Sequence, residues 1–240
     1  MKKTAIILSL FALLACNCKL NKRQIVSETA ITPESYYNFD TIWQVGKQEF
    51  HFTSFDPDFE NSDTLLISVK TNMSPNFTAL TDYVYKDGLV DAHFQDFNQD
   101  GYPDIWLYYA DQAGDHILYL FNPEQNKFVK SLGFERLREP MQLKSNFNYY
   151  YTYSRAGCAD MNWTSKLFVF KNFETIELGY IYGKGCDDED NEEQGIEIYQ
   201  VIDNDETKLK LIQQLPYDID NYEKWDFIKN YWETNYQNFE

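Results

Sequence analysis

Asp96, Asn98, Asp100, Tyr102 and Asp104 fall at alternate positions of the stretch Asp96-Phe97-Asn98-Gln99-Asp100-Gly101-Tyr102-Pro103-Asp104. Four of the five carry oxygen on a short side chain. A hard dication such as calcium takes about six to eight oxygens at roughly 2.3–2.6 Å, and a tight turn can supply them from alternate residues. In that register Asp96, Asn98 and Asp100 occupy loop positions one, three and five. Gly101 permits the sharp bend, Tyr102 offers its backbone carbonyl at position seven, and Asp104 closes the site at position nine, directly or through water. The glutamate expected at position twelve is replaced by Leu107. Asn, Asp and Gly also dominate turns that hold no metal, but four oxygen side chains in register with the glycine favour the ion.

The loop does not lead into an exiting helix. Ile105-Trp106-Leu107-Tyr108-Tyr109 is rich in β-favouring residues, so the loop should join two strands, Leu89–Phe94 and Asp104–Tyr109. A bound ion would then staple a hairpin.

Other chemistry is sparse. Cys158 and Cys186 are the only cysteines downstream of residue 18, and in an exported chain they should pair. There is no Gly-x-Ser-x-Gly, no His-Glu-x-x-His and no phosphate-binding loop. Gly179-Tyr180-Ile181-Tyr182-Gly183-Lys184 falls one residue short of a Walker spacing. Carboxylate pairs of the kind that hydrolyse glycosides stay open, since their separation is not written in sequence, but the chain is expected to be non-enzymatic. Asp187–Glu193 packs six carboxylates into seven residues and is expected to be a solvated loop.

The elements that must position these residues are mostly strands. With 240 residues, 19 Tyr and 18 Phe against 10 Gly, the composition suits sheets with one buried and one wet face. Strands are expected at Gln48–Phe55, Leu65–Lys70, Asp82–Tyr85, Leu89–Phe94, Ile105–Tyr109 and His116–Phe121. The second half continues with Asn148–Ser154, Lys166–Phe170, Thr175–Tyr182, Ile196–Ile202 and Lys208–Gln214. This spacing predicts a mainly β fold, a propeller-like or barrel-like assembly of antiparallel hairpins. Near the C-terminus Asp220 and Glu223 have capping-box spacing, and Tyr222, Trp225, Ile228, Trp232 and Tyr236 recur at helical intervals. A short helix should dock on the sheet there.

The N-terminus reads as an export signal. Lys2 and Lys3 precede the apolar run Ala5–Leu14, and Leu13-Leu14-Ala15-Cys16 resembles the lipobox of bacterial lipoproteins. Residues 1–15 are then a signal peptide, Cys16 receives lipid, 16–35 form a flexible tether and 36–240 a single β-rich calcium-binding domain. The formal net charge is -17. Losing Lys2 and Lys3 from the 21 bases leaves 38 acids against 19. Such an excess disfavours nucleic acid and suits a cationic partner or divalent ions.

The calcium-like loop, together with Ile105-Trp106-Leu107, Leu118-Tyr119-Leu120-Phe121-Asn122-Pro123 and Lys127-Phe128-Val129, resembles a known group. These are periplasmic calcium-binding, β-propeller-like proteins of the lysozyme-inhibitor type; the loop also resembles, more loosely, FG-GAP and VCBS repeats. Tyr153–Asp160 and Lys166–Phe170 are similar to elements of the same group, so the likeness spans about residues 80 to 183. It implies structural calcium held by Asp96, Asn98, Asp100, the Tyr102 carbonyl and Asp104, and a protein partner such as a lysozyme-like hydrolase. The expectation is therefore a lipid-anchored protein-binding module in a Gram-negative cell envelope, facing the periplasm or the surface. A surface glycan- or nutrient-binding lipoprotein that stacks ligands on exposed aromatics is the alternative.

Overall fold

Fifteen strands form among the described residues, the longer of them from runs in which apolar and polar residues alternate. The structure, a computed structural model, describes residues 40–55, 64–71, 83–85, 89–109, 116–138, 140–186, 193–220 and 222–240. The expected signal peptide, Cys16, Cys18, the tether and residues 187–192 of the acidic run lie outside them.

The strands form three antiparallel sheets. The first is a meander of β1 (Asp40–Val45), β2 (Gln48–Phe55), β3 (Thr64–Thr71) and β4 (Tyr83–Tyr85). A second meander contains β5 (Leu89–Gln95), β6 (Asp104–Tyr109), β7 (His116–Asn122) and β8 (Lys127–Lys130). The third sheet draws on β9 (Met141–Gln142), β10 (Tyr149–Tyr151), β11 (Ser154–Arg155), β12 (Asn162–Lys171), β13 (Glu174–Lys184), β14 (Gly195–Ile202) and β15 (Asp205–Leu215). Its order is β15-β14-β13-β12-β10-β9, with β11 also paired to β12.

Among the described residues each sheet runs from one edge strand to another, and none closes on itself. Closure would need the first and last strands to pair, so the barrel-like alternative is corrected to open sheets. The anticipated strand Asn148–Ser154 divides into β10 and β11, because the Thr152 N–H and Oγ1 turn to the backbone of Lys166.

Three apolar clusters stack these layers. Phe50, Phe52 and Val69 of the first sheet meet Ile105, Leu107, Phe121 and Phe128 of the second. The other face of the second sheet contributes Leu118 and Leu120, which join Phe97, Phe134, Tyr150 and Phe168. The middle sheet is thus buried on both faces. After exposed Glu174, β13 alternates between buried and half-buried residues; a bulge at Leu167/Phe168 of β12 divides it, and from Gly179 onward its buried side lies under the helix α1 (Lys224–Asn235). Ile228 and Trp232 of α1, with Tyr236 and Phe239 beyond it, pack on Trp163, Leu167, Ile181 and Ile198. Trp232 Nε1 donates to Ser165 Oγ at 2.8 Å. The docked helix is as anticipated, with a half-formed capping box: Glu223 Oε2 accepts the Asp220 N–H, while the Glu223 N–H goes to the Asp220 carbonyl.

The two glycines of the near-Walker run have a packing role. A Cβ on Gly183 would lie 2.2 Å from the Trp163 ring, and one on Gly179 would lie 2.9 Å from Trp232. Both leave the room that aromatic rings occupy against β13. At the far end of the sheet β15 is an edge strand, and residues 206–214 are exposed throughout.

Candidate calcium centre

β5 and β6 pair up to Gln95↔Asp104, which leaves Asp96–Pro103 as the turn between them. The turn is built by its own side chains. Asp96 Oδ1 accepts the Asp100 N–H at 3.1 Å and Oδ2 accepts the Gly101 N–H at 2.9 Å. Asn98 Oδ1 takes the Asp100 N–H at 3.2 Å, and Asp100 Oδ1 takes the Tyr102 N–H at 2.9 Å. These bonds turn the oxygens of Asp96, Asn98 and Asp100 toward the inside of the loop. Gln99 and Gly101 adopt left-handed conformations, with φ of 61° and 90°. Open space surrounds Gly101, so its identity answers to backbone conformation rather than crowding.

Asp104 sits behind the loop. It is fully buried, and its two oxygens accept the N–H groups of Phe97 at 2.7 Å and Phe121 at 2.8 Å. The residue anticipated as the ninth-position ligand therefore also ties the turn to β7. Each oxygen keeps a lone pair beyond the one its N–H uses. Phe97 points the opposite way, into the core. Its carbonyl accepts the Tyr150 hydroxyl at 2.7 Å, and its ring packs edge-on against Trp106 and Phe134. The turn is rigidly seated at one end of the doubly buried sheet.

The electrostatics are those of crowded like charges. Burial raises the Asp96 carboxyl above its ordinary range against hydrogen bonds that lower it, and Asp100 raises it further. Asp104 is raised well above, chiefly by burial, despite the N–H groups of Phe121 and Phe97, with Asp100 and Asp96 adding repulsion. Burial, then the charges of Asp104 and Asp96, also push the Tyr150 hydroxyl up. A site with this donor set and this excess of negative charge fits a hard cation. Among the described residues no three His, Cys, Asp or Glu side chains are grouped around a common centre as they stand; Asp104 faces the backbone, and Asn98 contributes an amide.

A second polar corner was only half visible in sequence. Cys158 and Cys186 form the anticipated disulfide. Between Gly157 and β12, Cys158, Ala159 and Asp160 are left-handed in succession, with φ of 53°, 50° and 74°. Asp160 Oδ2 accepts Lys224 Nζ at 2.6 Å, and the Asp160 carbonyl accepts it at 2.9 Å. Tyr153 donates its hydroxyl to Oδ1. On the other side Asn162 Oδ1 accepts the N–H groups of Gly185 and Cys186. Burial pushes the Asp160 carboxyl up, but hydrogen bonds from Lys224 and Tyr153 and the charges of Lys224 and Arg155 outweigh it, so it stays below the ordinary range. Sequence reasoning missed Lys224; it lies on the stripe of Ile228 and Trp232 at intervals of four, and a charge inside that apolar stripe is the signal that could have found it.

No protein-family model and no curated protein matches this chain. A solved structure described as that of a Xanthomonas type IV secretion system related protein is similar over 72% of this chain and 93% of that one, with 15% identity and a TM-score of 0.45. A likeness at that level assigns neither fold nor function.

Proposed function

We propose that the chain is a lipid-anchored, calcium-stabilised and non-enzymatic protein-binding module of a Gram-negative cell envelope, and that it inhibits a lysozyme-type peptidoglycan hydrolase. The observation that supports it is the turn Asp96–Asp104, in which alternate oxygens face inward and carboxylates raise one another's proton affinity. Asp96, Asn98, Asp100, the Tyr102 carbonyl and Asp104 would hold the ion, whose charge offsets that repulsion. The role is structural: Asp104 connects the turn to β7, so a neutralised loop steadies the middle sheet. On this reading the four-stranded meanders and the larger sheet compose a propeller-like assembly. Cys16 carries the lipid, and the surplus of acids complements a basic hydrolase and speeds encounter with it.

The test is to titrate calcium-loaded protein, purified without lipid, against a panel of lysozyme-type muramidases while following lysis of peptidoglycan. Near-stoichiometric loss of lysis is expected, weakened by chelator. Undiminished lysis across the panel by folded, calcium-loaded protein sets the inhibitor reading aside.

A further inference from the structure

At its first turn α1 buries a lysine and exposes a tryptophan. The sequence spacing places Tyr222 and Trp225 on the docked stripe with Ile228 and Trp232, but in the structure Lys224 takes that slot at 2% exposure, while Trp225 and Tyr222 stand open at 43% and 90%. Lysine is almost never fully buried unless paired, and tryptophan is highly buried on average. Asp160 anchors the inversion, since its carboxylate and carbonyl both accept Lys224 Nζ. Three residues apart, Tyr222 and Trp225 flank the entry to the helix.

The indole is steadied from behind. Tyr153 packs against it with ring centroids 3.7 Å apart, and Lys224 Nζ lies 5.5 Å from its centroid. An aromatic held on one side and open on the other is the kind of group that carries binding energy at protein interfaces, where Trp and Tyr are enriched. Met161, one position past Asp160, adds exposed apolar surface at the same corner, and its carbonyl accepts the Tyr217 hydroxyl at 3.0 Å.

The charges on this ledge are of one sign. Asp218, Asp220, Glu223 and Asp226 are all exposed, and from Pro216 to Ile228 the sole cation is Lys224, which is engaged with Asp160. Beyond that stretch Arg155 also turns to Asp160, at 3.7 Å, and Lys229 faces Glu233. Glu223 and Asp226 suit the positive end of α1, whereas Asp218 lies too far before the helix to serve it. An open indole beside carboxylates matches one side chain above others. A guanidinium is planar and weakly hydrated, so it can lie on an aromatic face while its N–H fork bonds carboxylates; an ammonium is a compact, strongly hydrated point charge. We propose that Tyr222 and Trp225 form a docking ledge for an arginine exposed on a partner protein, with the guanidinium stacked on the open side of the indole and its N–H groups bonded to the surrounding carboxylates. The ledge is separate from the Asp96–Asp104 turn, and the proposal stands whether or not the partner is a hydrolase.

The experiment adds a capped tri-arginine peptide to isotope-labelled protein and follows the tryptophan indole N–H resonances by NMR, that of Trp225 being identified by its loss in Trp225→Phe. The Trp225 resonance should shift saturably. Tri-lysine, of equal charge, should bind about tenfold more weakly. The double variant Tyr222→Ala/Asp226→Asn changes two exposed side chains, so it should melt close to the parent and yet bind tri-arginine about tenfold more weakly. The proposal is overturned if the Trp225 resonance stays in place at high peptide concentration, or if the double variant binds like the parent. It is equally overturned if tri-lysine binds as tightly as tri-arginine, which would assign the attraction to the acid excess of the whole chain. Neither calcium nor a hydrolase enters the measurement, so its outcome is separate from that of the inhibition test.

Discussion

The turn Asp96–Pro103 and the disulfide corner at Cys158–Asp160 solve one problem in opposite ways. Each is a tight bend with left-handed residues, and each uses a poorly exposed aspartate to organise backbone or side-chain donors around it. At the disulfide corner the counter-charge is built in. Lys224 reaches across 64 positions of sequence to Asp160, and the carboxyl is held below its ordinary range. The first turn brings Asp96, Asp100 and Asp104 near one another, and Asp96 and Asp104 are held above theirs. One corner carries its own counter-charge; the other, on the proposed reading, takes it from a cation in solution.

Removing the covalent part of the complete corner should have the largest effect. A Cys158→Ser variant is expected to lose about 3–4 kcal/mol in urea unfolding, with faster hydrogen exchange in α1 and unchanged exchange around Phe97. If both regions loosen together, the two corners are one cooperative unit and the contrast fails. Calcium should act next and on the other corner. At about a hundredfold excess over its Kd it adds about 2.7 kcal/mol, several degrees in Tm for a chain of this size. Asp100→Ala should abolish the gain. A Tm indifferent to calcium and chelator alike would remove the cation from the comparison.

Lys224→Met tests the internal counter-charge and should cost about 2 kcal/mol, below the usual range for a fully buried pair because Asp160 remains partly exposed. The sign with pH comes from the lowered carboxyl. Its folded value lies below the unfolded 3.8, so its contribution is complete above about pH 4 and lost as pH falls through the folded value. The variant should show a flatter acid limb than its parent in melts between neutral and strongly acid pH. The smallest effect is expected at the glycines. Gly101→Ala and Gly157→Ala, at φ of 90° and 111° with nothing near the added carbon, should each cost about 1–2 kcal/mol. Calcium should partly offset only the first.

Sequence revealed what is local. Strands such as β2 and β13 carry their alternation in eight to eleven consecutive residues, and the Asp96 turn is written within nine. β8, at four residues, and β9, at two, are too short for any period to register. β1 also escaped, since Asp-Thr-Ile-Trp-Gln-Val alternates only once its neighbour β2 buries one side. The grouping of strands into three open sheets depends on pairings between distant segments, which no local pattern states. The same holds within the candidate site: Asp104 is expected from spacing to face the loop, but its bond to Phe121, 17 residues away, is not written there. The Asp160–Lys224 pair and the ion pairs of buried Glu177 with Lys166 and Arg136 arise only when segments distant in sequence come together.

β15 leaves a long rim of main-chain donors and acceptors facing water, with Leu209 and Leu211 exposed to 38% and 49%. Such a rim is a template for any extended segment of a neighbour. Lys208 and Lys210 interrupt it with charge, which is how natural edge strands resist self-assembly. At high concentration, copies of this chain would depend on those two ammonium groups to stay separate, and neutralising them would convert a solvated border into an adhesive one.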